Sequence, residues 1–264
     1  MVEAGMLRFP VSSLGDKKPL FATSAVVAVC WILLAVWEVS PYSGYLHHQS
    51  LSGAPLSEMP FLTVAFAGGW ILMIGAMMIP TIFPLLMGFR SVAWSRTRTR
   101  LNTSLFLGGF ICIWLCLGIA LFFSDFWLHK AVEETYFLAQ NSFLIPSTTI
   151  ATCGVYQFSR TKQSLLGKCR QSPDSIQVEC LQCSSGRDSL RSGLRHGYFS
   201  VGACGTFMIL MFAADIGNLW SMSLLGAVMI VERYHSSVDR FVSRFGFGMI
   251  GLAVVYALVA AGGV

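Results

Sequence analysis

A chain of 264 residues that is 55% hydrophobic and only 12% charged, with a mean hydropathy of +0.65, carries more apolar surface than a soluble domain of this size can bury, so lipid must cover the excess. The formal net charge of +5 is no nucleic-acid signature, because the basic residues fall in short connections between apolar segments, where membrane topology and anionic lipid account for them. No nucleic-acid partner is expected.

A spanning helix needs about 20 mainly apolar residues, and the segments 20–38, 61–88, 103–124, 136–158, 198–214, 218–232 and 245–262 supply seven candidates. The predicted fold class is all-α: a single polytopic membrane helix bundle over residues 1–264, with six to seven transmembrane spans. Threaded this way, seventeen of the eighteen Lys and Arg residues lie on one side and Lys130 alone on the other. Lys/Arg bias marks the cytoplasmic face, so the N-terminus is expected inside, in a multi-pass protein of the cell membrane.

Arg8, Lys17 and Lys18 precede a first apolar run too long for the core of a cleavable signal, so this span is expected to stay as an anchor. Glu38 closes it near the outer surface, and His47-His48 follow in an external loop. The second span carries Met73, Met77 and Met78 on one stripe. Pro80 and Pro84 within it release backbone carbonyls that neighbours or water must satisfy, so a kink near Pro80 is expected. After the third span, His129 and Glu133 stand one helical turn apart, a pairing suited to Cu(II) or Zn(II), although loop histidines are ordinarily unliganded.

The fourth span leads into the longest polar connection, residues 159–196, a predicted cytoplasmic loop. It holds a C-x-x-C, Cys180 to Cys183, with Cys169 upstream and His196 downstream. Three thiols and an imidazole could close a tetrahedral zinc site, yet zinc patterns ordinarily pair two such knuckles, and incidental thiols compete with that reading. In a reducing compartment no disulfide is expected. Residues 198–232 are too long for one helix: they form either a tight hairpin with Asp215 and Asn218 at the outer surface, or one long span plus an interfacial segment. Cys204, Met208 and Met211 recur there at i, i+4, i+7, and soft sulfur at helical spacing suits Cu(I). Packing by flexible, gap-filling Met is the plainer alternative. The Gly68-Gly69, Gly108-Gly109 and Gly262-Gly263 pairs point to close helix approach. No phosphate loop, nucleophile elbow or H-E-x-x-H motif is present, and no catalytic residue is predicted.

Three blocks go beyond generic membrane character. The first runs from Gly69-Trp70 through Ala76-Met77-Met78-Ile79-Pro80-Thr81. The second holds Gly154-Val155-Tyr156-Gln157, Lys162, Cys169-Arg170 and Pro173. The third holds Gly193-Leu194-Arg195-His196-Gly197-Tyr198, Gly202, Cys204, Met208, Asn218-Leu219-Trp220, Met222 and Glu232-Arg233. In this order, over about residues 65–235, the chain resembles the domain-of-unknown-function 2182 family of predicted metal-binding integral membrane proteins. The resemblance implies a multi-span protein without established catalysis, handling a soft metal such as copper through Cys and Met near the cytoplasmic ends of its spans. Where it leads one to expect further cysteines, the chain has Leu165, Ser200 and Ala203; where it leads one to expect a tryptophan and a methionine, Gly205 and Gly217 stand.

The expectation is therefore a membrane protein that binds or delivers copper, with zinc as the second choice. Its candidate ligands are Cys204, Met208, Met77 and Met73 within the membrane, and Cys169, Cys180, Cys183 and His196 on the cytoplasmic side. The alternative is a non-catalytic accessory or assembly subunit that packs against other subunits of a larger membrane enzyme complex and has lost the family's metal site. A transporter is a third reading, favoured by prolines inside a span and disfavoured by the lack of an internal repeat.

Overall fold

A computed structural model describes residues 17–40, 59–86, 96–136, 140–141, 143–170, 185–213, 218–234 and 238–262. Its elements are α1 (Lys17–Val39), α2 (Met59–Met77), a 3-10 turn (Pro80–Ile82), α3 (Arg96–Glu134), α4 (Leu144–Tyr156), α5 (Arg160–Cys169), α6 (Gly186–Ala213), α7 (Leu219–Tyr234) and α8 (Val238–Gly262). The all-helical expectation holds, with no strand among the described residues. Five stretches are long and apolar enough to cross a membrane: Phe21–Val39, Pro60–Met77, Thr99–Asp125, Gly186–Ala213 and Phe241–Gly262. The fourth and sixth expected spans correspond to shorter helices, α4 with 13 residues and α7 with 16. At about 1.5 Å per residue these reach only part of the way across a hydrocarbon core about 30 Å thick.

Three sequence expectations change in detail. The stretch 61–88 is interrupted rather than kinked, because α2 ends at Met77 and the chain tightens into the 3-10 turn at Pro80. The Phe83 N–H closes the turn onto the Pro80 carbonyl, and Pro84 has no N–H to add, so the second lone pair of that oxygen is open to an outside donor. The Tyr234 hydroxyl from the end of α7 supplies it, donating to Pro80 O at 2.9 Å and to Thr81 O at 3.2 Å. The stretch 159–196 is not a continuous loop: Ser159 caps α5 by accepting from the Thr161 N–H, and α6 begins at Gly186. Residues 198–232 form two helices, with the connection at 214–217 outside the described residues. Arg233 near the end of α7 meets His196 early in α6, so the two run antiparallel. At the opposite end, Asn218 Oδ1 accepts from Ser221 N and Glu38 Oε2 from Leu219 N, placing a carboxylate where the helix dipole favours it.

The core is organised around α6, which packs against α3, α4, α5 and α7. Its contact with α3 brings backbones together: a Cβ at Gly193 would stand 2.1 Å from the Phe106 carbonyl oxygen, and one at Gly109 2.6 Å from that of Leu190. The small-xxx-small spacing of Gly193 and Gly197 allows this approach where lipid removes any ordinary hydrophobic drive between helices. Of the glycine pairs singled out in the sequence, Gly109 serves this purpose, whereas Gly68, Gly108 and Gly262 face open space. Trp70 of α2 lies against Gly118 of α3, and its indole N–H donates to the Trp114 carbonyl at 2.9 Å.

Gly193→Ala should therefore force α3 and α6 apart at an overpacking cost of about 1–3 kcal/mol or more. Gly108→Ala should leave thermal unfolding in detergent unchanged; equal melting temperatures for the two variants would contradict the close-approach geometry.

Candidate functional site

Five segments meet at one end of the bundle: the turn at Pro80, the end of α4, α5, the first half of α6 and the end of α7. Capped at Ser159, α5 turns Lys162 inward, and its ammonium and the carboxylate of Glu232 are both 0% exposed. Lys162 Nζ lies 3.0 Å from Glu232 Oε1 and 2.9 Å from Oε2. It also donates to Gln157 Oε1 and sits 4.5 Å from the centroid of Phe207. An isolated ammonium would not stay charged in such a place; the carboxylate, the amide oxygen and the ring face together replace its water. Arg170, just past α5, donates to the Glu232 backbone carbonyl, one of the last carbonyls of α7 that the helix itself leaves open.

Arg233 is 6% exposed and joins four elements. Its guanidinium donates to Thr81 Oγ1 and to the Cys169 carbonyl, each at 3.3 Å, and approaches His196 Nε2 to 2.6 Å. A guanidinium only donates, so Nε2 accepts, the ring proton is assigned to Nδ1, and the imidazole is neutral. The ring packs beside Phe106 and Phe110, with centroids at 6.0 and 6.1 Å. Burial pushes the Tyr234 hydroxyl up to about 12, against the opposing pull of Arg233, so the phenol stays protonated as the donor to Pro80.

Sulfur borders this charge cluster. Cys169 closes α5 with its thiol buried; burial pushes that thiol up from its ordinary value, and Arg233 draws it partly back. Cys204 is buried two turns beyond His196 on α6. Cys153 of α4 is buried as well. Met73, Met77 and Met208 are buried in the same core, Met77 against Gly226 of α7. Cys169 and Cys204 are both buried, on different helices of the bundle, and Met73, Met77 and Met208 belong to the same apolar core. The Nε2 lone pair of His196 is already engaged by Arg233. Cys180, Cys183, His47, His48 and Asp215 lie outside the described residues, as do the side chains of His129 and Glu133.

Among the described residues, no three His, Cys, Asp or Glu side chains are grouped to hold a metal. A zinc-type Cys/His tetrahedron is therefore not formed by them, whereas thiols and thioethers in general are donors of the kind Cu(I) takes. Two of the positions that the resemblance leads one to expect as cysteine are enclosed, Ser200 and Ala203, and the side chain of Leu165 fills the space over Gly202.

Sequence reasoning missed the roles of Lys162, Arg170 and Arg233, which charge bias alone assigns to loops. Each is instead engaged by groups from other helices. One signal was available: Glu232 lies within a predicted span, and an ionisable group there calls for a partner.

A family model described as a copper chaperone, PpoB2, matches residues 67–256. No curated protein and no solved structure matches the chain. The match covers all five segments of the cluster, from Pro80 to Arg233.

Removing one member of the buried pair should strand the other. Glu232→Gln alone is expected to cost about 3–5 kcal/mol of stability, and Lys162→Met/Glu232→Gln together much less. Thermal unfolding of both variants in detergent checks this; additive losses would show that the two charges do not depend on each other.

Proposed function

Because the chain belongs to the PpoB2 copper chaperone family, we propose that it carries Cu(I) as cargo on sulfur ligands inside its helix bundle, as a multi-pass protein of the cell membrane. The observation that supports this best is the burial of Cys169 and Cys204 on two different helices within the stretch that the family model matches. In this reading the two thiols are the principal ligands, and Met208, Met77 and Met73 offer thioethers deeper in the core. Cys180 and Cys183 serve as entry thiols on the cytoplasmic side. His196 joins only if its contact with Arg233 opens. The donor set favours Cu(I) over Zn(II), since thioethers suit the soft monovalent ion and zinc prefers closed Cys/His sites. The resemblance to the domain-of-unknown-function 2182 family rests on the same stretch and points the same way.

Delivery requires a recipient, and other membrane protein subunits are the proposed partners beside the lipid bilayer itself. α1 exposes Phe21, Val29, Ile32 and Val36, an apolar surface that lipid or such a subunit would cover. The accessory-subunit reading keeps one specific support: Leu165, Ser200 and Ala203 occupy positions where thiols were expected, and Leu165 packs tightly over Gly202.

Metal content of protein purified in mild detergent under reducing conditions separates these readings. Wild type should retain stoichiometric copper, and Cys204→Ala and Cys169→Ala should each lose it. Loss only in Cys180→Ala/Cys183→Ala would move the site to the connection between α5 and α6. Retention of zinc in place of copper would overturn the choice of metal. Failure of wild type to retain added Cu(I) would overturn copper handling and leave the accessory role.

A further inference from the structure

Between α1 and the proline-broken end of α2 lies a crevice of about 470 Å3. One wall is Ser24, Val27 and Ala28 of α1, the other is Phe83 and Pro84, and Tyr234 at the end of α7 completes the lining. The α1 wall falls within the apolar stretch Phe21–Val39, most of which the rest of the bundle leaves uncovered. A largely apolar crevice that opens beside a membrane helix is either filled by hydrocarbon or left void, and a void forfeits the contacts of every atom that lines it. Its place along the bundle is fixed by two contacts. Glu38 at the end of α1 accepts from the Leu219 N–H at the start of α7, so the start of α1 lies at the other end, beside Tyr234. That end is basic: Lys17 and Lys18 open α1 less than two turns before Ser24, and Arg160 and Lys168 are exposed on α5, which reaches the end of α7 through Lys162 and Glu232.

We propose that this crevice seats one acyl chain of an anionic phospholipid, drawn from the leaflet at the basic end of the bundle, with its headgroup beside the start of α1. The inference goes beyond the copper reading and does not depend on it. A spanning helix is about 10 Å or more across, too broad to enter a crevice of this volume bounded by two helices and Tyr234, whereas a single acyl chain is narrow and flexible. Basic residues close to a membrane surface attract anionic headgroups, which selects the lipid as the walls select its tail. The seated chain rests against Pro80 and Tyr234, whose hydrogen bond anchors the residue next to Arg233. A bound lipid therefore braces the corner in which the buried charges are held.

Full-length protein stripped of lipid in mild detergent is mixed with phosphatidylglycerol or phosphatidylcholine, and bound lipid is counted by native mass spectrometry. Wild type should hold one phosphatidylglycerol, and more tightly than phosphatidylcholine. Ala28→Trp, which fills the crevice, should weaken that binding severalfold, whereas Val29→Trp, at an exposed position of α1 outside the crevice, should not. Lys17→Gln/Lys18→Gln should lower phosphatidylglycerol affinity about fivefold per charge removed and leave phosphatidylcholine within a small factor. Unchanged binding in Ala28→Trp, or equal losses in Ala28→Trp and Val29→Trp, overturns the seat. Equal affinity of wild type for the two lipids, or no effect of the lysine changes, overturns the anionic headgroup. A neutral isoprenoid retained through stripping in place of phospholipid overturns the acyl chain as occupant. A second measurement needs no variant: phosphatidylglycerol with a photoactivatable group on its acyl chain should label residues 24–28 and 83–84 of wild type. Label spread evenly along α1 would count against a defined seat.

Discussion

A charge enclosed at one end of a lipid-covered bundle has no water to turn to, so it must find its partners within the protein, and in this chain that requirement ties distant segments together. Lys162 and Glu232 lie 70 residues apart, and each is fully buried against the other. Their pairing draws α5 down onto the end of α7 and brings the end of α4 with it through Gln157. Arg233 extends the same logic to the broken end of α2, to the carbonyl of Cys169 and to His196 on α6. A polar cluster of this kind adds little stability over an apolar core of the same shape, but every member depends on the others, which makes the arrangement specific.

The apolar framework makes this cluster possible. α6 lies centrally because glycines on it and on α3 let the two backbones touch, and the segment bearing His196 and Cys204 is thereby held at a set height beside α5. The proline-broken end of α2 contributes in a second way. With no N–H available from Pro84, the Pro80 carbonyl takes the Tyr234 hydroxyl beside the Phe83 N–H, and this anchors the residue next to Arg233. A local defect in one helix thus fixes the position of a charge on another.

Sulfur and charge have complementary parts in this site. The thiols of Cys169 and Cys204 are soft donors that a monovalent copper ion prefers, and the thioethers of Met77 and Met208 lie further into the core. Burial holds the Cys169 thiol in its neutral form, so in the proposed copper reading a metal taken there would displace a proton and leave a negative charge behind. Arg233 occupies the Nε2 of His196, so the imidazole is not offered as a ligand in this arrangement.

The sequence by itself determined the all-helical class, the apolar segments and the break near Pro80, because hydropathy, length and proline chemistry are local properties read along the chain. It also held Cys169, Cys204, Lys162, Glu232 and Arg233 in the blocks on which the family resemblance was drawn, though nothing in their spacing says that they meet. Only the tertiary structure decided that Lys162, Arg170 and Arg233 are engaged within the protein rather than free loop charges. It likewise decided that 159–196 contains a capped helix, and that 198–232 folds back on itself as two antiparallel helices. The physical reason is the same in each case: a charge bias or a hydropathy window registers what a residue is, whereas the cost of burying it depends on which groups from elsewhere in the chain arrive beside it.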